Sequence, residues 1–247
     1  MNDFQKSAQD LRNAIGLGSE PVAIFLLRPG DDLGPFREWR ALTRHRYCQA
    51  VMRARRGERV LLDGEELACP AAASVFGFRP LPEPLAQGPG LVGFGIVAAP
   101  EIGRAMFAAM PRLPAGSVAS IALCPAADAP RVPEVVVVEG QPEALMWIAL
   151  ADVNRAGGER ATASTAVLQA VCADSTVIPL TEKRLNFGLG CYGCREATDL
   201  GPEETALGFP GQHLRELARA VTYLAEKAVP HSRSKTAYQR LMKGIET

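Results

Sequence analysis

Histidine is nearly missing from this chain. Its 247 residues include three, His45, His213 and His231, too few to build a multi-histidine metal centre. Net charge is missing altogether: 27 basic and 27 acidic side chains balance, and the pI is about 6.8. Overall charge therefore offers nothing to a nucleic acid or an anionic membrane surface. No apolar run is long enough to cross a bilayer; the longest, Ala144–Ala151, falls far short. The start, Met1-Asn-Asp-Phe-Gln-Lys6, lacks the basic head and apolar stretch of a signal peptide. A cytoplasmic protein without nucleic-acid or membrane partners is expected. Phosphate-binding fingerprints are absent as well. There is no Gly-x-x-x-x-Gly-Lys-Ser/Thr, and Gly93-Phe-Gly95 lacks the third glycine of a dinucleotide loop. The carboxylates are scattered, no acid/base pair stands out, and catalytic residues stay unassigned.

Cysteine is what the chain does have. Six in a chain of this length do not make a disulfide scaffold, and in a reducing compartment clustered thiols serve as ligands or redox groups. Four of the six fall into a pattern. Two stretches resemble each other, beginning at Gly18-Ser-Glu-Pro-Val-Ala-Ile-Phe and at Gly116-Ser-Val-Ala-Ser-Ile-Ala-Leu. Each reaches a cysteine beside a Gln-Ala pair, Cys48 in one and Cys172 in the other. A second cysteine follows 21 residues later in the first copy, Cys69, and 19 later in the second, Cys191. Each copy then gives a glycine-containing apolar run, Leu91–Ile96 and Thr205–Phe209. Packing about a pseudo-twofold axis would bring the four thiols to one place.

The periodicity predicts an α/β (α+β) fold of two related lobes from an internal duplication, 1–115 and 116–247, which could equally close into one compact domain. Helices are expected at residues 3–17, Tyr47–Arg56, Ala71–Phe76, Glu101–Met110, Glu143–Arg155, Ser164–Cys172 and Gln212–Lys227. A last one, Ser234–Ile245, is expected to pack back on the body. Strands are expected at Val22–Leu27, Val60–Leu62, Leu91–Val97, Val118–Leu123, Val135–Val138 and Leu185–Leu189. The unit Val135–Arg155 has no counterpart in the first copy and reads as a strand–helix insertion in the second lobe.

Cys191-Tyr-Gly-Cys194 is the sharpest local motif. A two-residue gap lets both sulfurs face one point, as in metal ligation or a dithiol. A zinc ribbon needs a second such motif, and none exists. Cys69-Pro70 matches the Cys-Pro ending of iron–sulfur motifs, but Cys124-Pro125 shows the same pair. Cys124, outside the repeated positions, reads as a buried core residue. Gaps of 21, 103 and 19 residues between Cys48, Cys69, Cys172 and Cys191 suit a cluster held between preformed segments better than a zinc knuckle. These four are the expected ligands of an iron–sulfur cluster of the 4Fe-4S type, with Cys194 an additional thiol close by. Arg46 and Arg195 are expected to face the cluster or an anionic ligand. The other arginines around Cys48 read as a solvated helix face.

Arg46-Tyr-Cys-Gln-Ala-Val-Met52, Cys69-Pro-Ala-Ala-Ala73 with Phe76-Gly-Phe78, Met110-Pro-Arg-Leu-Pro114, Gly140-Gln-Pro-Glu-Ala-Leu-Met-Trp147 and Gly190-Cys-Tyr-Gly-Cys-Arg-Glu-Ala-Thr-Asp199 resemble the domain of unknown function 169 family, also called archaeal cysteine-rich proteins. The resemblance covers nearly the whole chain. It implies a bacterial or archaeal, cysteine-bearing cytoplasmic protein and no particular activity. Three readings stay open: a cluster protein with a redox or electron-transfer role and a redox partner protein, a metal-free binder of a small anionic ligand, or a Cys-x-x-Cys dithiol oxidoreductase.

Overall fold

Val22–Leu27, Ser120–Pro125 and Val135–Gly140 are dominated by apolar residues, and each forms a strand buried along its whole length. Strands of this kind belong at the centre of a sheet covered on both faces. A computed structural model describes residues 1–245 and shows such a sheet. Its strands are β1 (Val22–Leu27), β2 (Arg40–Leu42), β3 (Val60–Asp63), β4 (Ser120–Pro125), β5 (Val135–Gly140), β6 (Asn186–Gly188) and β7 (Thr205–Pro210). They lie in the order β2-β3-β4-β1-β5-β7-β6. Every pairing is antiparallel except β2–β3. Ile24 of β1 stands between Leu123 of β4 and Val135 of β5.

The α-helices are α1 (Asp3–Ile15), α2 (Tyr47–Arg55), α3 (Pro70–Val75), α4 (Glu83–Ala86), α5 (Pro89–Gly93), α6 (Pro100–Ala108), α7 (Pro142–Arg155), α8 (Ile178–Glu182), α9 (Tyr192–Ala197), α10 (Leu214–Lys227), α11 (Val229–Arg233) and α12 (Thr236–Ile245). A π-helix, Ala170–Val177, runs directly into α8. The sheet alternation sorts them into two layers. Ala23, Phe25, Leu27, Val136 and Val138 point to one face, against Leu11 and Ile15 of α1, Ile148 of α7 and Leu217 and Val221 of α10. Val22, Ile24, Leu26, Val135 and Val137 point to the other, against α2, α3 and the π-helix. The result is a three-layer α+β architecture.

Helix α10 shows why these segments dock as they do. Leu214, Leu217, Ala218, Val221 and Leu224 recur at helical spacing, and all five are buried. Each leucine or valine so covered contributes roughly 1.5–3 kcal/mol. Helix α1 starts with a reciprocal cap: Asn2 Oδ1 accepts from the Gln5 N–H at 2.9 Å and Gln5 Oε1 from the Asn2 N–H at 2.9 Å.

The strands of residues 1–115 and 116–247 interleave in one sheet, with β1 between β4 and β5. Three expectations are corrected. Leu91–Val97 is not a strand. Pro89 opens the short helix α5 instead, and the segment lies outside the sheet. Residues 164–169 are not helical, because the Asn186 side chain pairs with the backbone N–H and C=O of Ser164, and helical structure begins only at Ala170. Helix α12 does not pack back on the body: Thr236–Gly244 are exposed throughout.

Candidate functional site

Four helical segments start beside one another on the same side of the sheet. Cys48 is the second residue of α2, Cys69 the N-cap of α3, Cys172 the third residue of the π-helix, and Cys191 the N-cap of α9. Local hydrogen bonds hold these starts together. Ala68 N–H donates to His45 O at 2.9 Å, which sets the chain entering α3 beside the chain entering α2. Arg46 Nη1 donates to Gly193 O at 3.1 Å, and Gln49 Nε2 to Ala197 O at 3.1 Å, so α2 is tied to α9. Tyr47, fully buried, meets Thr176 Oγ1 at 2.9 Å. Because Thr176 Oγ1 already donates to Val171 O at 2.8 Å, the tyrosine hydroxyl is the donor, and α2 is tied to the π-helix as well.

Two glycines let the π-helix sink onto the sheet. A Cβ on Gly208 would lie 1.8 Å from Ser175 O, and one on Gly188 would lie 2.6 Å from Ala170 O. No other residue fits under a backbone that close. This seat sets the height of Cys172 above β6 and β7.

The five sulfurs that result line the wall of one cavity of about 590 Å³. Cys191 Sγ donates to Cys194 Sγ at 3.1 Å, and Cys48 is close enough to raise the Cys194 thiol. Cys191 Sγ also accepts backbone N–H groups from Cys194, at 3.3 Å, and from Ala170. Cys172 faces Cys69, Cys191 and Cys194 closely enough for their charges to interact. The rest of the wall is largely apolar and includes Leu85, Leu91, Phe94, Ile96 and Phe107.

Crowded, buried thiols resist ionisation. Burial first, then the charges of Cys69, Cys191 and Cys194, raises Cys172 well above the ordinary thiol value. The hydrogen bond that Cys191 donates to Cys194, with burial, raises Cys191. For Cys194 the bond with Cys191 lowers the value, but the nearby Cys48 and burial prevail and push it up to about 12. Without a cation among them these sulfurs stay protonated; a bound metal would reverse that balance. Among the described residues, no three or more His, Cys, Asp or Glu side chains are placed to hold a metal ion.

The structure brings Cys48, Cys69, Cys172, Cys191, Cys194 and Arg46 to this cavity. The Arg46 guanidinium is not free for an anion, since it pairs with Glu196 at 2.5 Å. Arg195 is a correction. Its guanidinium faces away and binds the carbonyls of Gly201 at 2.8 Å, Leu189 at 2.7 Å and Glu204 at 2.9 Å, bracing the loop after α9. Cys124 lies on the opposite face of the sheet, in the α1–α7–α10 core, with its thiol pushed up to about 12 by burial. Sequence reasoning missed Tyr47, Thr176 and Gln169, which sit on or behind the cavity wall. Their positions depend on a π-helix that has no periodicity signal of its own.

Fold and site together define a three-layer α+β protein with a thiol-lined cavity. The chain belongs to the DUF169 family, described as uncharacterised ArCR, whose family model matches residues 10–220. It is similar to an uncharacterised protein of Methanocaldococcus jannaschii, MJ0308, with 25% identity over 228 residues, covering 92% of this chain and 97% of the relative. No solved structure matches it. Among the described residues, no helix is long and apolar enough to cross a membrane.

Proposed function

We propose that this protein holds a cysteine-ligated 4Fe-4S cluster, with Cys48, Cys69, Cys172 and Cys191 as ligands, and serves a redox or electron-transfer role. One observation carries the reading: thiols from four helix starts, far apart in sequence, line a single cavity that, among the described residues, no histidine lines. The donor set is all sulfur, which suits zinc or iron–sulfur chemistry. A single zinc ion needs its thiolates within about 2.3 Å of one point, and no such convergence occurs among the described residues. A cluster is ligated by thiolates on separate irons, so a wider ring of sulfurs fits it better. The backbone N–H groups of Ala170 and Cys194 aimed at Cys191 Sγ would stabilise that sulfur as a thiolate.

When bound, such a cluster supplies one-electron transfer. This chain's own part is to exclude water with the apolar wall and to keep Arg46 at the rim. A redox partner protein would approach past Phe94 and Tyr192, both exposed beside the cavity. The paired placement of the cysteines supports an origin by duplication. Cys69 and Cys191 each cap a six-residue helix, while Cys48 and Cys172 each stand in the first turn of the helical segment before it.

Anaerobic purification followed by reconstitution with ferrous iron and sulfide tests this. A brown protein with about four iron and four sulfide per chain is expected. A colourless, iron-free chain after both steps would rule the cluster out. A second reading, a dithiol oxidoreductase, draws on the 3.1 Å approach of Cys191 and Cys194. Cys194→Ser separates the two, because a dithiol enzyme loses all turnover while the cluster protein keeps its iron.

A further inference from the structure

The residue that opens the π-helix is spent unusually. Gln169 has φ 56° and ψ 33°, a left-handed conformation that costs a non-glycine residue of order 1–3 kcal/mol. Its carbonyl is fully used, accepting from the N–H groups of Ala173 at 2.8 Å and Asp174 at 3.2 Å. Its side chain does not cap the helix it begins. Among the described residues that amide has no hydrogen-bond partner, although Gln169 is only 8% exposed and lines the cavity. The amide atoms are not sealed off, so they are open to a partner within the cavity they line.

The rest of the cavity says which ligand. Leu85, Leu91, Phe94, Ile96 and Phe107 supply an apolar wall away from the thiols. About 590 Å³ is within the ~300–1,000 Å³ range of small-molecule sites, which pair an apolar lining with a few polar anchors. Among the described residues the one cation on the wall, Arg46, is already paired with Glu196, so an anion is not what the site is built to hold.

We infer that the cavity is also a binding site for a small neutral organic molecule with an apolar body. One compact polar group on it, carrying both a donor and an acceptor as a primary amide does, pairs with the Gln169 side chain. The amide of glutamine offers a carbonyl oxygen and an NH₂, so two reciprocal hydrogen bonds fix the ligand's polar end beside Cys172. Its apolar body lies against α5 and α6. The site does not depend on a cluster, since none of these contacts uses a sulfur.

Hexanamide is the probe, titrated calorimetrically into the full-length protein purified anaerobically, with iron content measured on the same samples. Saturable one-to-one binding is expected with or without iron, so loss of the cluster reading and loss of this one are told apart. Gln169→Met keeps the side chain's length and removes the amide; it should weaken binding at least tenfold. Ile96→Trp fills the apolar end from the half-buried rim and should abolish binding, with thermal melting confirming that both variants fold. Leu91→Trp replaces Ile96→Trp if that variant does not fold. No saturable binding to the parent chain, or unchanged affinity in the Gln169 and cavity-filling variants, would overturn the inference.

Discussion

The Sγ atoms of Cys191 and Cys194 lie 3.1 Å apart, with Cys48 beside Cys194. The two thiols are within hydrogen-bond distance of each other. Mild oxidation with oxidised glutathione should therefore join these two before any other pair. Both thiols give up a proton and together two electrons, and glutathione disulfide is reduced to two glutathiones. Peptide mapping should find Cys191–Cys194 as the dominant intramolecular disulfide in metal-free protein, and a cluster should protect it.

Cys124 and Cys172 make a matched contrast. Both are buried, but on opposite faces of the sheet. Cys172→Ser should cut the iron retained after reconstitution severalfold. Cys124→Ala should leave iron content unchanged and lower stability by about 1–2 kcal/mol, the cost of a small core cavity. Equal iron loss in both variants would point to unfolding rather than ligation.

Gly208 is the seat of the π-helix. Gly208→Ala drives a methyl group into Ser175 O and should destabilise the protein by about 3 kcal/mol or more. A denaturant titration checks the size. Tyr47→Phe, which loses one buried hydrogen bond and no volume, should cost only about 1 kcal/mol.

Glu139 gives a pH signature away from the thiols. It is buried 3.3 Å from Arg55, which also faces Asp199 at 2.9 Å and Glu204 at 3.4 Å. Burial raises the Glu139 carboxyl, Arg55 lowers it, and Glu204 and Asp199 raise it again, to about 7 against an ordinary 4.5. A folded-state value above the unfolded one means the folded chain binds the extra proton. That stabilisation is complete below 4.5 and is lost as pH rises through 7. The melting temperature should fall between about pH 5 and pH 8, and Glu139→Gln should flatten that slope.

Much of the frame was legible. The buried runs at Val22–Leu27 and Val135–Gly140, and the amphipathic pattern of α10, carry their structure in their own periodicity. The cysteine pattern singled out the residues that the fold brings to one cavity. What escaped was set by tertiary contact. Leu91–Val97 has the composition of a strand, yet no sheet edge is there to receive it. The π-helix exists because Gly188 and Gly208 let a backbone lie on β6 and β7, a relation between segments rather than within one. Arg195 sits next to Cys194 in sequence but on the other side of α9, where three carbonyls claim it. Gln169 stands out only once its neighbours' hydrogen bonds are accounted for.

Native mass spectrometry of the anaerobically purified chain puts the central claim to its most direct test. The account predicts a dominant species heavier than the polypeptide by about four iron and four sulfide, shifted to the bare mass in Cys69→Ser. A parent chain flying only at its polypeptide mass, before and after reconstitution, would contradict it.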